Sequence, residues 1–524
     1  MQPWRDGQSW VQAQAGGQAG LGRLRRVRGW RLLAVYAAAA VLIVGLLFAP
    51  ALVTELRLRS LQQPGALGPL VVEATEVRGV SLHHVAGSRP PIYFGEGVPL
   101  EKVQWAREGA LITWQEVPRI TGLRQPGEES PLYLFADRNQ YVALGRRLWG
   151  AGFGQLGWDT CAFVGGLAVL RGATGTACDT AIVDTRAAFI SGLAHELTHQ
   201  LINAEWMRGS SVPRWLNEGL ATYVEEEVYA AQAPDVLVRG IEGANYVAHA
   251  LRFQRYERLD DLKWNSPDGQ YIRYAYNHSR LAVRRLVERF GMPALADLVR
   301  RSGPRPFADT FVEVLGLRLA EFEAELEQSL RQTLLAPGLV LYRDDFTLPG
   351  RRWRRRWNES AIDPLAYESG EYALRVTAES DRTQAVWNRL PFSDFQAELD
   401  ARLTPPVENA AVFLDVRIQP DDDRYRFSVD PSSGRFALHW VRTPEAIPMI
   451  ESTPSPAING GAAVNRLAVR VAGAEIVLLV NGVEVGRAHD PRYREGRIGF
   501  GLASPHGQPT EVRFSNLLVT AVSY

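Results

Sequence analysis

Cysteine is scarce in this chain of 524 residues, which contains only Cys161 and Cys178. Two cysteines are too few for a zinc site built mainly from thiolates. If this part of the chain lies outside the cytoplasm, the pair can form one disulfide that closes a short loop. Two buried free thiols are the alternative, and the sequence leaves both interpretations open.

An excess of charge of either sign is also lacking, because 58 basic residues balance 58 acidic ones. Proteins that bind nucleic acid usually carry a basic excess, so no nucleic-acid partner is predicted. Long low-complexity tracts are missing, and the 46% hydrophobic content is ordinary for a folded protein. The length exceeds what one core can organise, so two or three domains are expected.

One apolar run without charges stands out, at residues 32–53. It is long enough to span a bilayer as a helix, and the basic segment before it, residues 1–31, favours the cytoplasmic side. The pattern predicts a single-pass signal anchor in the cell membrane, with the N-terminus cytoplasmic and the bulk of the chain extracytoplasmic. The alternative is a signal peptide cleaved near Ala49-Pro50-Ala51, which would give a secreted protein.

The chemistry is concentrated in His195-Glu196-Leu197-Thr198-His199. On a helix, His195 and His199 lie one turn apart on the same face, so their imidazoles can bind one metal ion. Glu196 lies close enough to act on a water molecule bound to that metal. Glu218 can complete a set of two histidines and one glutamate, which leaves a fourth position open and is typical of catalytic zinc.

Two further positions extend this candidate site. Glu225 lies two helical turns beyond Glu218 on the same face, where it could orient a ligating histidine; a solvated acid is the alternative. One of Tyr271, Tyr274 and Tyr276 could donate a hydrogen bond to the oxyanion of a tetrahedral intermediate. Aromatic packing at the start of a helix is the alternative for these tyrosines.

The hydrophobic period divides the chain into two folded domains. Residues 68–186 show short strand patterns, among them Ala110 to Trp114, interrupted by a helix from Arg138 to Trp149, and a helical period follows to residue 335. Residues 340–524 alternate apolar and polar positions, and Asn481-Gly482 predicts a tight hairpin, which together indicate a β-sandwich. The predicted fold class is α+β: a transmembrane helix, a sheet-plus-helix zinc domain and an all-β jelly roll.

The motif His195-Glu196-Leu197-Thr198-His199, followed by Trp215-Leu216-Asn217-Glu218-Gly219, resembles the gluzincin metallopeptidases and the peptidase MA-like domains of bacterial membrane and secreted proteins. The resemblance covers residues 68–335. It implies that His195, His199 and Glu218 bind one Zn²⁺, that Glu196 is the general base and that Glu225 supports the site. It also implies a transition-state tyrosine, for which Tyr276 is the candidate and Tyr274 fits almost as well.

The C-terminal region, residues 340–524, resembles concanavalin-like or laminin-G-like domains. The residues that carry this resemblance are Asp344-Asp345-Phe346, Val480-Asn481-Gly482 and Gly496-Arg497-Ile498-Gly499-Phe500. Such domains often bind glycans or proteins, so a glycan or protein ligand is expected for this region.

Together these patterns predict a membrane-anchored, extracytoplasmic zinc metallopeptidase that hydrolyses a peptide or protein substrate. The alternative from another class is a surface protein whose sandwich binds a glycan or a protein and whose peptidase domain is degenerate. A third interpretation is a structural zinc site, whose removal would unfold the domain. The sequence leaves the substrate, the endo- or exopeptidase type, the ligand of the sandwich and the oligomeric state open.

Overall fold

The chain folds into a helix-covered sheet, a helical part and a β-sandwich in this computed structural model. The described residues are 68–522 without 126–129, 151–160, 165–174, 183–184, 207–210, 233–235, 304, 348–352, 356–366, 369, 378–382, 389–390, 443–444 and 505–507.

The first sheet has six strands in the order β1-β2-β3-β4-β6-β5. Its strands are β1 Val72–Val77, β2 Val80–Val85, β3 Ile92–Phe94, β4 Leu132–Phe135, β5 Cys161–Val164 and β6 Gly175–Asp179. Strands β3, β4 and β6 run parallel to one another, and the other pairs are antiparallel.

Helices cover both faces of this sheet. Strand β4 turns Leu132 and Leu134 towards helices α1, Leu100–Thr121, and α3, Arg186–Trp206. Its alternate residues, Tyr133 and Phe135, pack against α2, Arg138–Trp149. A strand that is buried on both faces has no polar alternation, which explains the continuous apolar sequence of β4.

The strand predicted from Ala110 to Trp114 is wrong, because these residues lie inside α1. Buried Val103, Ala106, Ala110 and Val117 follow a spacing of three and four residues, which is the period of a helix. The apolar run at the centre of α1 concealed that period. Gly122 ends the helix in the left-handed conformation, with φ 65°.

Five helices follow α3 and form the helical part. They are α4 Arg214–Ala230, α5 Val236–Arg252, α6 Gly269–Arg301, α7 Phe307–Leu315 and α8 Leu319–Leu334. Helix α6 is broken at Gly291, whose φ of 80° and ψ of 158° are not helical. Short 3₁₀ turns lie at Thr180–Ile182 and Leu259–Asp261.

The remaining strands form two sheets that pack face to face around one apolar core. The eight-stranded sheet contains β7 Val340–Asp344, β9 Tyr367–Glu368, β10 Glu371–Val376, β12 Phe395–Thr404, β17 Asn465–Ala472, β18 Glu475–Val480, β19 Val483–His489 and β21 Thr510–Ala521. The seven-stranded sheet contains β8 Arg354–Arg355, β11 Thr383–Trp387, β13 Ala411–Ile418, β14 Arg424–Asp430, β15 Arg435–Arg442, β16 Glu445–Pro454 and β20 Arg497–Ala503. Asn481 and Gly482 form the hairpin between β18 and β19 with φ 51° and 82°, as a type I′ turn requires.

Helix α5 packs directly on the sandwich. Its Asn245 donates to the carbonyl oxygen of Pro391 at 3.2 Å, and Arg252 lies 3.2 Å from a carboxylate oxygen of Asp394. Tyr246 packs against the core of the sandwich. His249 Nε2 lies 2.7 Å from Glu495 Oε2, and this contact lowers the pKa of Glu495. The helical part and the sandwich therefore share a packed, charged interface.

The predicted fold class needs correction at its N-terminal end. The predicted transmembrane helix, residues 32–53, lies outside the described residues. Among the helices that are described, none is both long and apolar enough to cross a bilayer. The longest unbroken one, α1, carries charges such as Glu101, Lys102 and Arg119 along its length. The architecture of the described part is a mixed sheet with helices, followed by a two-sheet sandwich.

Candidate functional site

Helix α3 brings the two motif histidines together. The ring centroids of His195 and His199 are 4.8 Å apart. Phe189, Ile190 and Leu201 are fully buried on the other side of the helix. Because these apolar residues hold one face of α3 in the core, the opposite face presents the imidazoles at a fixed position.

Helix α4 supplies the third member of the cluster. Glu218 Oε2 lies 3.7 Å from His195 Nε2 and 3.4 Å from His199 Nε2. The ligand atoms of these three residues all lie within 4.8 Å of one another. Gly219 lets α4 pack closely against α6, because a Cβ there would lie 2.5 Å from the carbonyl oxygen of Ser279 on α6.

The outer nitrogens of both imidazoles are held by acceptors. His195 Nδ1 lies 3.2 Å from a carboxylate oxygen of Glu225, and His199 Nδ1 lies 2.9 Å from the amide oxygen of Asn217. Because these oxygens only accept, each Nδ1 carries its hydrogen, and each Nε2 faces Glu218 and is the atom that would bind a metal ion. The three residues therefore fit a metal ion such as zinc in their donor types, in their spacing and in the tautomers that the supporting contacts impose.

The electrostatics of the cluster favour a cation. Burial disfavours a charged His195, but its contacts with Glu218 and Glu225 outweigh burial and hold the pKa of His195 well above its ordinary value. Burial also acts against a charged His199, and Glu218 raises the pKa of this imidazole. Burial raises the pKa of Glu218 less than the two histidines lower it, so the pKa lies well below its ordinary value. Carboxylates that stabilise an imidazolium also attract a metal cation placed between them.

The proposed catalytic residues have different surroundings. Glu196 is buried beside the cluster, and its charge acts on both imidazoles. The ring of Tyr276 lies 6.2 Å from the ring of His195, next to the cluster. The hydroxyl of Tyr274 instead accepts from the backbone N–H of Glu257 at 2.9 Å. Of the two tyrosines that the sequence left open, Tyr276 is therefore the one beside the histidines.

Cys161 and Cys178 form a disulfide in the structure. They are directly opposite each other on the antiparallel strands β5 and β6. Both belong to the apolar core that also contains Phe189 and Leu193 of α3. The disulfide thus holds the edge of the sheet beside the helix that carries the histidines.

A second polar cluster lies on the outer face of the seven-stranded sheet. The strand register aligns Trp387, Gly499, Asp415, Arg426 and His439 in one row across five strands. Their sequence neighbours Val386, Phe500, Leu414, Phe427 and Leu438 point into the core, so the row faces outwards. The sequence patterns did not predict this cluster.

Asp415 is at the centre of this row. Its carboxylate accepts from Arg426 at 2.8 and 2.7 Å and from Arg424 at 2.9 Å. The side chains of Asp415 and Arg424 are only 4% and 3% exposed. The Arg426 guanidinium lies 3.6 Å from the centroid of the Phe413 ring.

Strand β20 leaves room for these large side chains. A Cβ at Gly501 would lie 2.3 Å from the ring of Phe413, so only glycine lets the ring cross this strand. At the end of the row, burial and the neighbouring Arg426 lower the pKa of His439. A neutral imidazole can both donate and accept a hydrogen bond, as a hydroxyl ligand requires.

The outer face of the eight-stranded sheet has a different character. Arg466 pairs with Asp400, and Arg402 pairs with Glu371, but these arginine side chains are 50% and 42% exposed. The ion pairs of this face are solvated, whereas those of the seven-stranded face are withdrawn from water. Burying charges costs free energy unless they are paired, so the buried ion pairs set the seven-stranded face apart from the eight-stranded one.

Comparisons with known proteins concern the C-terminal region. Residues 347–520, about a third of the chain, match the family model of the 3-keto-alpha-glucoside-1,2-lyase-like domain. No curated protein matches the chain.

Several solved structures are similar to about a third of the chain. A carbohydrate binding module, CBM66 from Bacillus subtilis, is 19% identical over 32% of this chain and 95% of its own length, with a TM-score of 0.26. The endo-beta-1,3(4)-glucanase SCLam is 12% identical over 36% of this chain and 97% of its own length, with a TM-score of 0.29. The beta-glucanase of Bacillus licheniformis is 14% identical over 36% of this chain and 99% of its own length, with a TM-score of 0.27. TM-scores this low carry no functional argument.

The family match corrects the predicted class of protein. It relates residues 347–520 to the 3-keto-alpha-glucoside-1,2-lyase-like domain, which is not a gluzincin metallopeptidase, and it replaces the laminin-G-like interpretation of the C-terminal region. The prediction of a zinc metallopeptidase with a peptide substrate is therefore wrong. The physical reason is that a short motif specifies three ligands on two helices, and this geometry defines neither a fold nor a bond to be cut. The match favours the alternative of a glycan-binding protein.

Proposed function

We propose that this chain binds carbohydrate on the outer face of its seven-stranded sheet. The observation that carries the proposal is the row of Trp387, Asp415, Arg426 and His439, in which the partly exposed Arg426 and His439 present planar hydrogen-bonding groups beside the buried Asp415 and Trp387. Sugars offer both hydroxyl groups and apolar C–H faces, and such sites match them with polar groups and aromatic rings.

Two further features support this proposal. The row lies within residues 347–520, the part that matches a family described by a glucoside substrate. The bidentate contact between Arg426 and Asp415 holds both side chains in one geometry, which lowers the entropy lost when a ligand binds.

We also propose that His195, His199 and Glu218 hold one zinc ion. When bound, zinc would act as a Lewis acid and lower the pKa of a coordinated water. We assign the role of proton acceptor to Glu196, because its charge acts on both imidazoles. We assign a hydrogen-bond donor's role to Tyr276, because its ring is beside His195.

Finally, we propose that the protein works outside the cytoplasm. The disulfide between Cys161 and Cys178 supports this location, because disulfides persist mainly in oxidising compartments. Thiol alkylation of the protein taken directly from cells tests the location. Two alkylated cysteines without prior reduction would contradict it.

The carbohydrate proposal is tested with a glycan array, followed by titration calorimetry on the best ligand. We expect Arg426→Lys and His439→Ala each to weaken binding about tenfold or more, since each removes hydrogen bonds to the ligand. Gln396→Ala, on the outer face of the eight-stranded sheet, is the matched control and should bind as the wild type does. Unchanged binding in both sheet-face variants, or no binding to any glycan, would refute the proposal.

A further inference from the structure

An open groove lies beside the histidine–glutamate cluster. It is lined by Arg214, Leu262, Lys263, Trp264, Asn265, Ser266 and Pro267. Among these lining residues are two cations and no carboxylate. Trp264 is half-buried, so its position is fixed while part of its surface remains open to a ligand.

Ring contacts connect the groove to the cluster. Trp264 packs edge to face against Tyr276 with 5.4 Å between ring centroids, and Tyr276 lies 6.2 Å from the ring of His195. On the other side, Arg214 Nε lies 3.4 Å from Glu218 Oε1, and its guanidinium lies 5.1 Å from the Trp264 ring. A molecule bound in the groove is therefore adjacent to the cluster.

The charge of the groove is concentrated on Arg214. Lys263 is matched by Glu257, whose carboxylate lies 2.9 Å from the ammonium group. Arg214 contacts one oxygen of Glu218 through its Nε, while the other oxygen faces His195 and His199, so its guanidinium keeps donors for a ligand. A guanidinium with spare donors recognises a planar carboxylate in two-point fashion.

We infer that this groove binds an acidic sugar residue, with its carboxylate at Arg214 and the apolar face of its ring on Trp264. The inference rests on the proposed carbohydrate function and specifies the ligand class of a second site. Asn265 and Ser266 supply the uncharged polar groups that sugar hydroxyls require.

Titration calorimetry of the full-length, zinc-supplemented chain tests the inference, with tetragalacturonic acid and maltotetraose as acidic and neutral probes. We expect the acidic probe to bind more tightly than the neutral one, and Arg214→Gln to reduce this preference about tenfold. Trp264→Ala should weaken acidic binding as well. Arg258→Gln removes a cation that pairs with Glu323 outside the groove, and it should change nothing.

The outcomes separate this inference from the carbohydrate proposal. No preference for the acidic probe, or a preference that survives in Arg214→Gln, would refute the binding of an acidic sugar in the groove. If His439→Ala loses binding while the groove variants do not, the sheet face stands and the groove is refuted; the reverse pattern supports the groove alone. The zinc content of each variant is measured in parallel, because Arg214 contacts the predicted ligand Glu218.

Discussion

The histidine–glutamate cluster and the outer face of the seven-stranded sheet both withdraw charged groups from water, but they pair these groups differently. In the sheet face, Asp415 is directly paired with Arg424 and Arg426, so each charged group contacts an opposite charge. In the cluster, two imidazoles and one carboxylate converge through their ligand atoms, and further acceptors hold the outer side of each imidazole.

This difference shows how a buried polar group can indicate a ligand. A network in which each charged group contacts an opposite charge is stable without an ion and offers directed hydrogen bonds at its rim. A set of converging lone pairs has its natural partner in a metal cation. Metal removal should therefore affect the histidine–glutamate cluster and leave the sheet face unchanged. Loss of one charged residue should lower the stability of the sheet face, whereas loss of one ligand should remove the metal from the cluster.

The largest effect is expected from removing a metal ligand. His199→Ala or Glu218→Gln should reduce zinc from about one ion per chain to a small fraction, because two protein ligands do not hold the ion tightly. Elemental analysis of the purified chain measures this. His489→Ala, which removes an exposed histidine on β19, is the control and should keep its zinc. Full zinc content in both ligand variants would refute the metal site.

The next largest effect is expected at the centre of the sheet face. Asp415→Ala leaves the buried guanidinium of Arg424 and the partly buried one of Arg426 without their counter-ion, and the free energy of unfolding should fall by about 3–5 kcal/mol. Chemical denaturation with and without a chelator measures this. The loss should be the same in both conditions, since no metal is involved. A loss below about 1 kcal/mol would mean that the network is solvated.

A smaller effect is expected from the groups that orient the histidines. Glu225→Ala or Asn217→Ala should weaken zinc binding about 10- to 100-fold while leaving all three ligands in place. Competition with a chromophoric chelator measures the affinity. Glu227→Ala, an exposed acid on the same helix, should leave it unchanged. Equal affinities in the Glu225 and Glu227 variants would show that Glu225 does not support the site.

The smallest effect is expected on the eight-stranded face. Arg375→Ala breaks an ion pair with Glu511, but the arginine is exposed, so the free energy of unfolding should change by about 1 kcal/mol or less. The change should shrink further at high salt. Denaturation at low and high ionic strength measures it. A loss as large as that of Asp415→Ala would remove the distinction between the two faces.

The sequence predicted the candidate site best where its residues lie close together along the chain. His195 and His199 are four residues apart on one helix, so the helical period alone brings them together. Asn217 was not predicted as a supporting residue, although its position directly before Glu218 was a signal. The function class was not predictable from this motif, because the same ligand geometry serves different reactions.

The sheet face depends on tertiary pairing and was missed for that reason. Alternation shows that Asp415, Arg426 and His439 point away from the core, but it does not show which strands are neighbours. Trp387 and Asp415 come into one row only because β20 lies between β11 and β13. The error at α1 has a local cause instead, because its central apolar run has the composition of a strand.

The packing of α5 on the sandwich has a consequence for polymeric ligands. Contacts such as Asn245 with Pro391 and Arg252 with Asp394 join the two parts directly, without relying on a flexible tether. A polymeric ligand bound on the proposed sheet-face site would then be held at a fixed distance and angle from the helical part. The protein would then select glycans by their contour length and bend as well as by their composition. Oligosaccharides too short to reach both parts would gain no avidity.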